Sequence, residues 1–407
     1  MKKKLSIKRL VRSSVYYVHL LLGITVGFYL LVMGLTGSLL VFHHAIGEAV
    51  APQFHELELT QQELDQIDPI IGIDKVYDIG KELFPDRDVA RIYLPHDDHG
   101  YLLYINRPDN TDNLGWGDQI REIAVHPVTY EVLGNRPYYG TFFNTVYAIH
   151  MHWLAKIPGW FFNGFASFFA LILLLSGLWL WWPGLKPKLW KQRFKINKTS
   201  IRRLAWDVHG FLGALSLIFL VILTVTGSVI IFKPVIDVLY PAPPPPQTEP
   251  DLNAPIQPLG TMYQTAQQQR NDATVYLAKF NTHPKQGTPQ LVHFYANPNN
   301  ESTTGRLTVT MARQGGSIVS TKDTIAQPQA TGDILMDWST WLHFGHWAGI
   351  FSKLLYVLIG FVPTLLFVTG IYLYLKKWQS KRNHRKAKKQ LQSKAKTLGK
   401  PQSLTTS

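Results

Sequence analysis

Four long stretches of this 407-residue chain contain no aspartate, glutamate, lysine or arginine. They lie between Arg12 and Glu48, Lys156 and Lys186, Asp207 and Lys233, and Lys353 and Lys376. Each is long enough to cross the hydrocarbon layer of a bilayer, which takes about 20 helical residues. Because lipid cannot hydrogen-bond to an exposed backbone, a spanning segment of this kind must be a helix. The sequence therefore predicts a membrane protein with an α-helical bundle of four spans.

The basic residues flank these stretches in three blocks. Residues 1–18, 184–205 and 376–407 hold 25 of the 41 Lys and Arg and no acidic residue. Short cytoplasmic loops of membrane proteins carry such an excess, so both termini and the 184–205 loop are predicted inside. A nucleic-acid-binding protein would gather its basic residues on a folded face. We therefore expect membrane lipid as a partner and no nucleic acid.

The pattern divides the chain into nine segments. They are a basic cytoplasmic N-terminus at 1–15, span 1 at 16–43, a first periplasmic domain at 44–155, span 2 at 156–183, a cytoplasmic loop at 184–205, span 3 at 206–232, a second periplasmic domain at 233–349, span 4 at 350–375, and a basic cytoplasmic tail at 376–407. The apolar run of span 1 exceeds 25 residues, whereas that of a signal peptide has about 7–15. Span 1 is therefore predicted to be an uncleaved anchor.

The spans are internally duplicated. Spans 1 and 3 share eight identities at a constant offset of 190: His19/His209, Leu22/Leu212, Gly23/Gly213, Leu30/Leu220, Thr36/Thr226, Gly37/Gly227, Ser38/Ser228 and Phe42/Phe232. Spans 2 and 4 align at an offset of 193 through His150/His343, Ser176-Gly177/Thr369-Gly370 and Leu180/Leu373. The chain is thus predicted to be two span–domain–span repeats, an organisation that places binding sites at the interface between the halves.

Each long outer segment reads as a small α+β domain. The predicted helices are Asp74–Phe84 and Leu259–Gln269. The predicted strands are Val89–Leu94, Tyr101–Ile105 and Ile120–Leu133 in the first domain, and Thr274–Phe280, Leu291–Ala296 and Arg306–Val319 in the second. Alternation and β-branched residues favour a small antiparallel sheet in each. Residues 379–407 are basic and polar, and are predicted to be disordered.

Histidines stand at matched positions near both membrane faces. His19 and His209 begin spans 1 and 3 near the cytoplasmic face, and His150 and His343 begin spans 2 and 4 near the outer face. A lone histidine at a helix end is an ordinary interfacial residue, but pairs that recur in both repeats indicate a shared ligand. Haem iron takes two axial ligands on opposite sides and accepts neutral imidazole. The pairs therefore predict two haem b groups, with these four histidines as iron ligands.

Other ligands and metals fit less well. The chain has no cysteine, which excludes disulfides, iron–sulfur clusters and thiolate-ligated haem. Zinc takes three or four ligands, often with a carboxylate or thiolate, and no acidic residue lies deep in a span. Alternates for the outer ligands are three further histidines near the outer edge: His44, His152 and His346.

The motifs resemble those of the PepSY-associated transmembrane proteins, an iron-regulated inner-membrane family, over about residues 10–378. The likeness rests on the H-x-x-x-G and T-G-S patterns of spans 1 and 3, the histidines that begin spans 2 and 4, and the Ser-Gly-Leu-Trp-Leu-Trp-Trp-Pro run at 176–183. Residues 125–132 are similar to the PepSY pattern V-D-P-x-T-G-x-V, and depart from it at His126 and Tyr130.

The resemblance implies a function. Some members of this family are haem-containing reductases of ferric siderophores at the outer face of the inner membrane. By resemblance, this chain would be a bacterial inner-membrane oxidoreductase that reduces ferric siderophores or other ferric chelates in the periplasm. The chain has neither a P-loop nor a G-x-G-x-x-G after a strand, and its cytoplasmic segments are too short to fold a flavin domain. Quinol or a separate cytoplasmic reductase would therefore supply the electrons.

Two other functions stay open from the sequence alone. The first is a non-catalytic PepSY membrane anchor whose outer domains bind a periplasmic partner. The second is a component of a siderophore or metal permease, because repeated halves with a site between them are typical of transporters. A visible spectrum separates the haem protein from both alternatives.

Reporter fusions test the predicted topology. Alkaline phosphatase fused at about residue 195, or after residue 380, should be inactive because both sites are expected in the cytoplasm. Fusions within 60–130 should be active. Phosphatase activity at either of the first two sites would reverse the orientation of every segment.

Overall fold

The computed structural model describes residues 7–55, 57–96, 99–106, 120–138, 141–241, 244–281, 287–299, 305–325 and 330–398. These residues form two compact units. The helical unit comprises the described parts of 1–41, 155–231 and 339–407. The sheet unit comprises the described parts of 42–154 and 232–338.

Twelve α-helices are found in the described chain. They are α1 (Ile7–Leu40), α2 (His43–Val50), α3 (Gln61–Leu64), α4 (Pro69–Leu83), α5 (Phe142–His152), α6 (Lys156–Trp181), α7 (Pro187–Arg193), α8 (Ile201–Ile231), α9 (Lys233–Leu239), α10 (Leu259–Gln267), α11 (Thr331–His343) and α12 (Gly349–Leu398). The strands are β1 (Val89–Tyr93), β2 (Tyr101–Ile105), β3 (Arg121–Val125), β4 (Val132–Pro137), β5 (Ala273–Phe280), β6 (Leu291–Pro298), β7 (Leu307–Ala312) and β8 (Ile318–Asp323).

Four of the described helices are long and apolar enough to cross a membrane. They are α1, α6, α8 and α12, and their most apolar 18-residue windows have mean hydropathies between 2.0 and 2.6. The prediction of a multi-pass membrane protein with four helical spans is confirmed. Helix α12 continues to Leu398, so the predicted disorder of residues 379–398 is wrong. That segment contains neither glycine nor proline, and its Lys, Arg, Gln and Ala residues favour helix; residues 399–407 lie outside the described chain.

The four spanning helices form a bundle in which α1 and α8 are diagonally opposite. Helix α1 packs against α6 and α12, and α8 packs against the same two helices. Helices α1 and α12 cross at Gly34 and Gly360, where a Cβ on either glycine would overlap the backbone oxygen of the other. Beside the crossing, the Ser38 hydroxyl donates to the Val357 carbonyl at 3.0 Å. Small residues allow such close approach, which supplies the packing energy that helices in lipid depend on.

A matching contact joins α6 and α8. The Ser228 hydroxyl lies 2.8 Å from the Ser167 hydroxyl, and Ser167 in turn donates to the Gly164 carbonyl at 2.7 Å. Small and hydroxyl-bearing residues therefore hold the α1–α12 and α6–α8 contacts, which are two of the four contacts between neighbouring helices.

The sheet unit contains one continuous antiparallel sheet of eight strands, in the order β4-β3-β2-β1-β5-β6-β7-β8. The sequence predicts two small sheets, but β1 pairs with β5 through Arg91–Tyr93 and Leu277–Lys279. In a free-standing half, the inner edge of β1 or of β5 would be unpaired. Joining the halves satisfies the backbone hydrogen bonds of both of these edges. The core of the sheet includes Ile92, Leu103, Val292 and Phe294, all fully buried.

Helices α4 and α10 pack against each other in the sheet unit. Asp74 on α4 accepts the backbone N–H groups of Leu259 at 2.7 Å and Gly260 at 2.8 Å. These donors belong to the first turn of α10, which has no intrahelical acceptor for them. A Cβ on Gly260 would overlap the Ile70 carbonyl, so glycine allows the helices to approach this closely.

Two long strands of the prediction are each divided by a turn. The predicted strand Ile120–Leu133 is β3 and β4, and the predicted strand Arg306–Val319 is β7 and the start of β8. In the second turn Gly315 and Gly316 have φ angles of 72° and 67°, a left-handed conformation that glycine adopts at the least cost. Alternation in the flanking strands does not locate either turn, although the Gly315-Gly316 dipeptide is a local turn signal.

The first turn explains how the chain departs from the PepSY pattern. His126 stands at the aspartate position, and its Nδ1 accepts the backbone N–H groups of Val128 and Thr129, both at 3.3 Å. Tyr130 stands at the glycine position and has a φ of 61°, a left-handed conformation that glycine adopts at the least cost. The imidazole nitrogen thus replaces the carboxylate as the acceptor within the turn.

The outer histidines lie on short helices and not at the start of a span. His150 is in α5, which ends at left-handed Trp153 and Leu154 with φ angles of 52° and 58°. His343 ends α11, which is separated from α12 by Gly345 and Gly349 with φ angles of 73° and 54°. Residues in this conformation cannot continue a right-handed helix.

The Gly34–Gly360 crossing provides a stability test. Gly34→Ala should destabilise the protein by about 1–3 kcal/mol, because the added methyl group has no space against α12. Gly23→Ala on the same helix is the matched control when both variants are compared without haem, since a Cβ there meets nothing within 4 Å. Thermal unfolding in detergent should show a lower midpoint for Gly34→Ala and an unchanged or higher one for Gly23→Ala. Equal midpoints would show that the crossing is not close-packed.

Candidate functional site

His19 and His209 face each other across the diagonal of the bundle. His19 lies on α1 and His209 on α8. Their ring centroids are 6.4 Å apart, and their ring planes are at 89° to each other. The helical unit therefore brings together the two residues that the duplicated sequence pairs.

The hydrogen bonds of His19 determine which ring nitrogen carries the proton. Its Nδ1 lies 3.0 Å from the Ser176 hydroxyl and 3.3 Å from the Leu173 carbonyl, both on α6. The Ser176 hydroxyl donates its own proton to the same carbonyl at 2.8 Å. Both oxygens can therefore only accept from the ring, and Nδ1 of His19 is the protonated nitrogen.

His209 is held in the same way by α12. Its Nδ1 lies 2.9 Å from the Thr369 hydroxyl, which donates its proton to the Leu365 carbonyl at 2.6 Å. Nδ1 of His209 is therefore also a donor. Among the described residues, neither His19 nor His209 has a hydrogen-bond partner for Nε2, so both rings present a lone pair there.

His343 repeats this arrangement in the helical unit. Its Nδ1 lies 3.0 Å from the Thr226 hydroxyl on α8, which donates to the Ile222 carbonyl at 2.7 Å. Three histidines thus have the tautomer that leaves Nε2 as the basic nitrogen. Histidines that bind metals typically donate the other ring N–H to an oxygen in this way.

A glycine follows each of these hydroxyl residues and makes room for the ring. The three dipeptides, here called the hydroxyl–glycine pairs, are Ser176-Gly177, Thr369-Gly370 and Thr226-Gly227. A Cβ on Gly177 would lie 3.0 Å from Cε1 of His19, and one on Gly370 would lie 3.4 Å from Cε1 of His209. For Gly227 and His343 the distance is 3.0 Å. In the sequence these dipeptides only recur between the repeats, as Ser176-Gly177/Thr369-Gly370 and Thr36-Gly37/Thr226-Gly227. Their contacts with the histidines are visible only in the packed helices.

A cavity of about 950 Å³ surrounds the His19–His209 pair. Six glycines line it: Gly23, Gly27, Gly177, Gly210, Gly213 and Gly370. Six basic residues also line it: Arg9, Arg12, Arg193, Arg202, Arg203 and Lys377. The glycines leave room for a flat apolar ligand, and the basic side chains suit a ligand that also carries negative charge.

The geometry of the His19–His209 pair does not test the other predicted ligands, His150, His152, His346 and His44. His150 and His152 lie on α5 in the sheet unit, and His346 is exposed between α11 and α12. The side chain of His44 lies outside the described residues. Within the described chain, no group of three or more His, Asp or Glu residues could hold a bare metal ion.

The histidine pair fits haem in both distance and chemistry. Two imidazoles that bind one metal ion from opposite sides, each through a bond of about 2 Å, place their ring centres roughly 6 Å apart. The observed separation of 6.4 Å agrees with this value. Two neutral imidazoles, each with an Nε2 that has no partner among the described residues, and a glycine-walled cavity are a donor set and a space that would suit haem b.

Residues 16–377 match the PepSY-associated TM region family. The chain belongs to this family. The match includes all four spanning helices and both halves of the sheet, so the resemblance predicted from the sequence motifs is confirmed. No curated protein sequence matches the chain. Within this PepSY-associated protein, three of the four duplicated histidines lie against a hydroxyl–glycine pair in the helical unit.

The hydroxyl–glycine pairs predict a tautomer that can be measured. In ¹⁵N-histidine spectra of the metal-free protein, His209 should be the Nδ1–H tautomer, and Thr369→Val should weaken that preference because the hydroxyl acceptor is lost. Thr364→Val is the matched control, since this buried hydroxyl on α12 has no partner among the described residues. An unchanged His209 tautomer in Thr369→Val would show that the hydroxyl does not determine it.

Proposed function

We propose that the protein is a bacterial inner-membrane b-haem electron-transfer protein that reduces ferric siderophores or other ferric chelates at the periplasmic face. The observation that carries this proposal is the facing pair His19 and His209, each with Nδ1 bonded to an oxygen and Nε2 available. A permease or a non-catalytic anchor needs no such pair of oriented imidazoles.

The chain's own residues would prepare the site for the cofactor. Bound haem would supply one-electron transfer between ferrous and ferric iron. Ser176 and Thr369 hold the two rings at fixed orientations, so little rearrangement is needed when a ligand binds. The glycines of α1, α6, α8 and α12 have no side chains, so they leave space in the cavity for a flat ring.

The duplicated sequence also predicts a second haem, and that prediction belongs to the same proposal. Its ligands would be His150 and His343, as the duplicated sequence predicts. The Thr226–His343 hydrogen bond supports a ligand role for His343. At offsets of 190 and 193, the sequence equivalents of Thr226 and His343 are Thr36 and His150.

The charge pattern supports one direction of electron flow. Positive-inside orientation would place α7 and the C-terminal part of α12 in the cytoplasm and the sheet unit in the periplasm. Quinol or a cytoplasmic reductase would then donate electrons at the His19–His209 end. Oxygen-donor chelators hold Fe(II) less tightly than Fe(III), so reduction would release the iron.

An absorption spectrum of the purified protein tests this proposal. We expect a Soret band that shifts and sharpens on reduction with dithionite, as for six-coordinate b-type haem. His19→Ala and His209→Ala should each remove about one haem equivalent or convert it to a high-spin form, because each variant would remove one of the two histidines that would hold the haem iron.

His293→Ala is the matched control. His293 also has Nδ1 bonded to a threonine hydroxyl, that of Thr310 at 2.9 Å, but lies on β6 in the sheet unit. Burial lowers the pKa of His293, and Lys279 lowers it further. The haem content of this variant should equal that of the wild type. A wild-type protein that takes up no haem when haem is abundant would contradict the proposal and leave the anchor function.

A further inference from the structure

Two arginines occupy matched positions relative to the histidine pair. Arg12 precedes His19 by seven residues on α1, and Arg202 precedes His209 by seven residues on α8. At the offset of 190 that relates the two spans, Arg12 and Arg202 are equivalent to each other. The duplication therefore includes an arginine with each histidine, on two diagonally opposite helices.

The spacing places each arginine on the same helix face as its histidine. Seven residues are nearly two complete turns, with a rise of about 10 Å along the axis. Both helices are continuous over this distance. Arg12 and Arg202 line the same cavity as His19 and His209, so two guanidinium groups lie at one end of the cavity that the imidazoles face.

Neither arginine has an internal counter-ion. Within the described chain, Arg12 and Arg202 form no ion pair or hydrogen bond through their side chains. The neighbouring Arg203 differs, because its Nε lies 3.0 Å from Asp207. Asp207 also accepts the backbone N–H of Asn197 at 3.0 Å, so the nearest buried carboxylate is already engaged. The two matched arginines are left to bind an external anion.

We propose that Arg12 and Arg202 bind the two carboxylate groups of the haem held by His19 and His209; this inference rests on the proposed function. Haem carries its carboxylates at one edge of an apolar ring, one ring radius and a short carbon chain away from the iron. A guanidinium group binds a carboxylate through two parallel hydrogen bonds. The matched arginines therefore orient the ring within the cavity, with its carboxylate edge towards the basic end of α1 and α8.

Haem retention tests this assignment. The double variant Arg12→Gln/Arg202→Gln should release haem b to apomyoglobin at least about tenfold faster than the wild type, because charge-assisted hydrogen bonds are lost. Arg12→Lys/Arg202→Lys, which keeps both charges, should show a smaller increase. The second measurement uses haem b dimethyl ester, whose carboxylates are blocked. The wild type should release the ester faster than haem b, and the Gln double variant should release both at similar rates.

Lys188→Gln/Arg382→Gln is the matched control. It removes two positive charges from α7 and α12, and neither residue lines the cavity. Its haem release should equal that of the wild type. The arginine assignment is overturned if the wild type binds haem b and its dimethyl ester equally, or if the control variant releases haem as fast as the arginine variant. Failure of the wild type to bind any haem would instead overturn the proposed function itself, and this inference with it.

Discussion

The arrangement of the helical unit depends on hydrogen bonds from imidazole Nδ1 to hydroxyl oxygens on neighbouring helices. A polar nitrogen inside an apolar bundle is costly unless it has a partner. His19, His209 and His343 each find one in Ser176, Thr369 and Thr226, respectively. Each hydroxyl donates its own proton to a carbonyl in the preceding turn of its helix, and therefore accepts a hydrogen bond from the imidazole ring. These hydrogen bonds also determine the chemistry of the site, because Nε2 of His19 and of His209 is left with a lone pair that can bind a metal.

Small residues make these hydrogen bonds geometrically possible. The glycine after each hydroxyl removes the Cβ that would press on the imidazole ring. At Gly34 and Gly360, glycines let α1 and α12 approach until the backbones touch, and the Ser167–Ser228 contact joins α6 and α8. Close lateral contacts and a glycine-lined diagonal together produce a cavity beside two oriented histidines. Helices in lipid gain little from burying apolar surface, so this packing must supply much of the stability of the bundle.

In the sheet unit, pairing between the two halves covers strand edges that would otherwise be exposed. Each half alone would have an unpaired β1 or β5, and the pairing of these two strands produces one sheet. Asp74 adds a second connection between the halves by accepting two N–H groups at the start of α10. His126 and Tyr130 show that a turn can keep its shape when its usual residues are replaced. An imidazole nitrogen serves as the acceptor, and a non-glycine residue adopts the left-handed conformation.

The sequence by itself determined the four spans, the family and the pairing of His19 with His209. These follow from the absence of charge over 20 or more residues, and from residues that recur at offsets of 190 and 193. The tertiary structure decided the features that sequence periodicity cannot predict: strand pairing, turns, helix ends and histidine tautomers. The continuous sheet depends on pairing between β1 and β5, which are far apart in the chain. The two hairpin turns depend on the left-handed residues Tyr130, Gly315 and Gly316. The helix that carries His150 and the helix that carries His343 end at left-handed residues before a span begins. The tautomers of His19 and His209 depend on hydroxyls more than 150 residues away in sequence. Local patterns report which face of an element is apolar, whereas a hydrogen bond between helices exists only once the helices are packed.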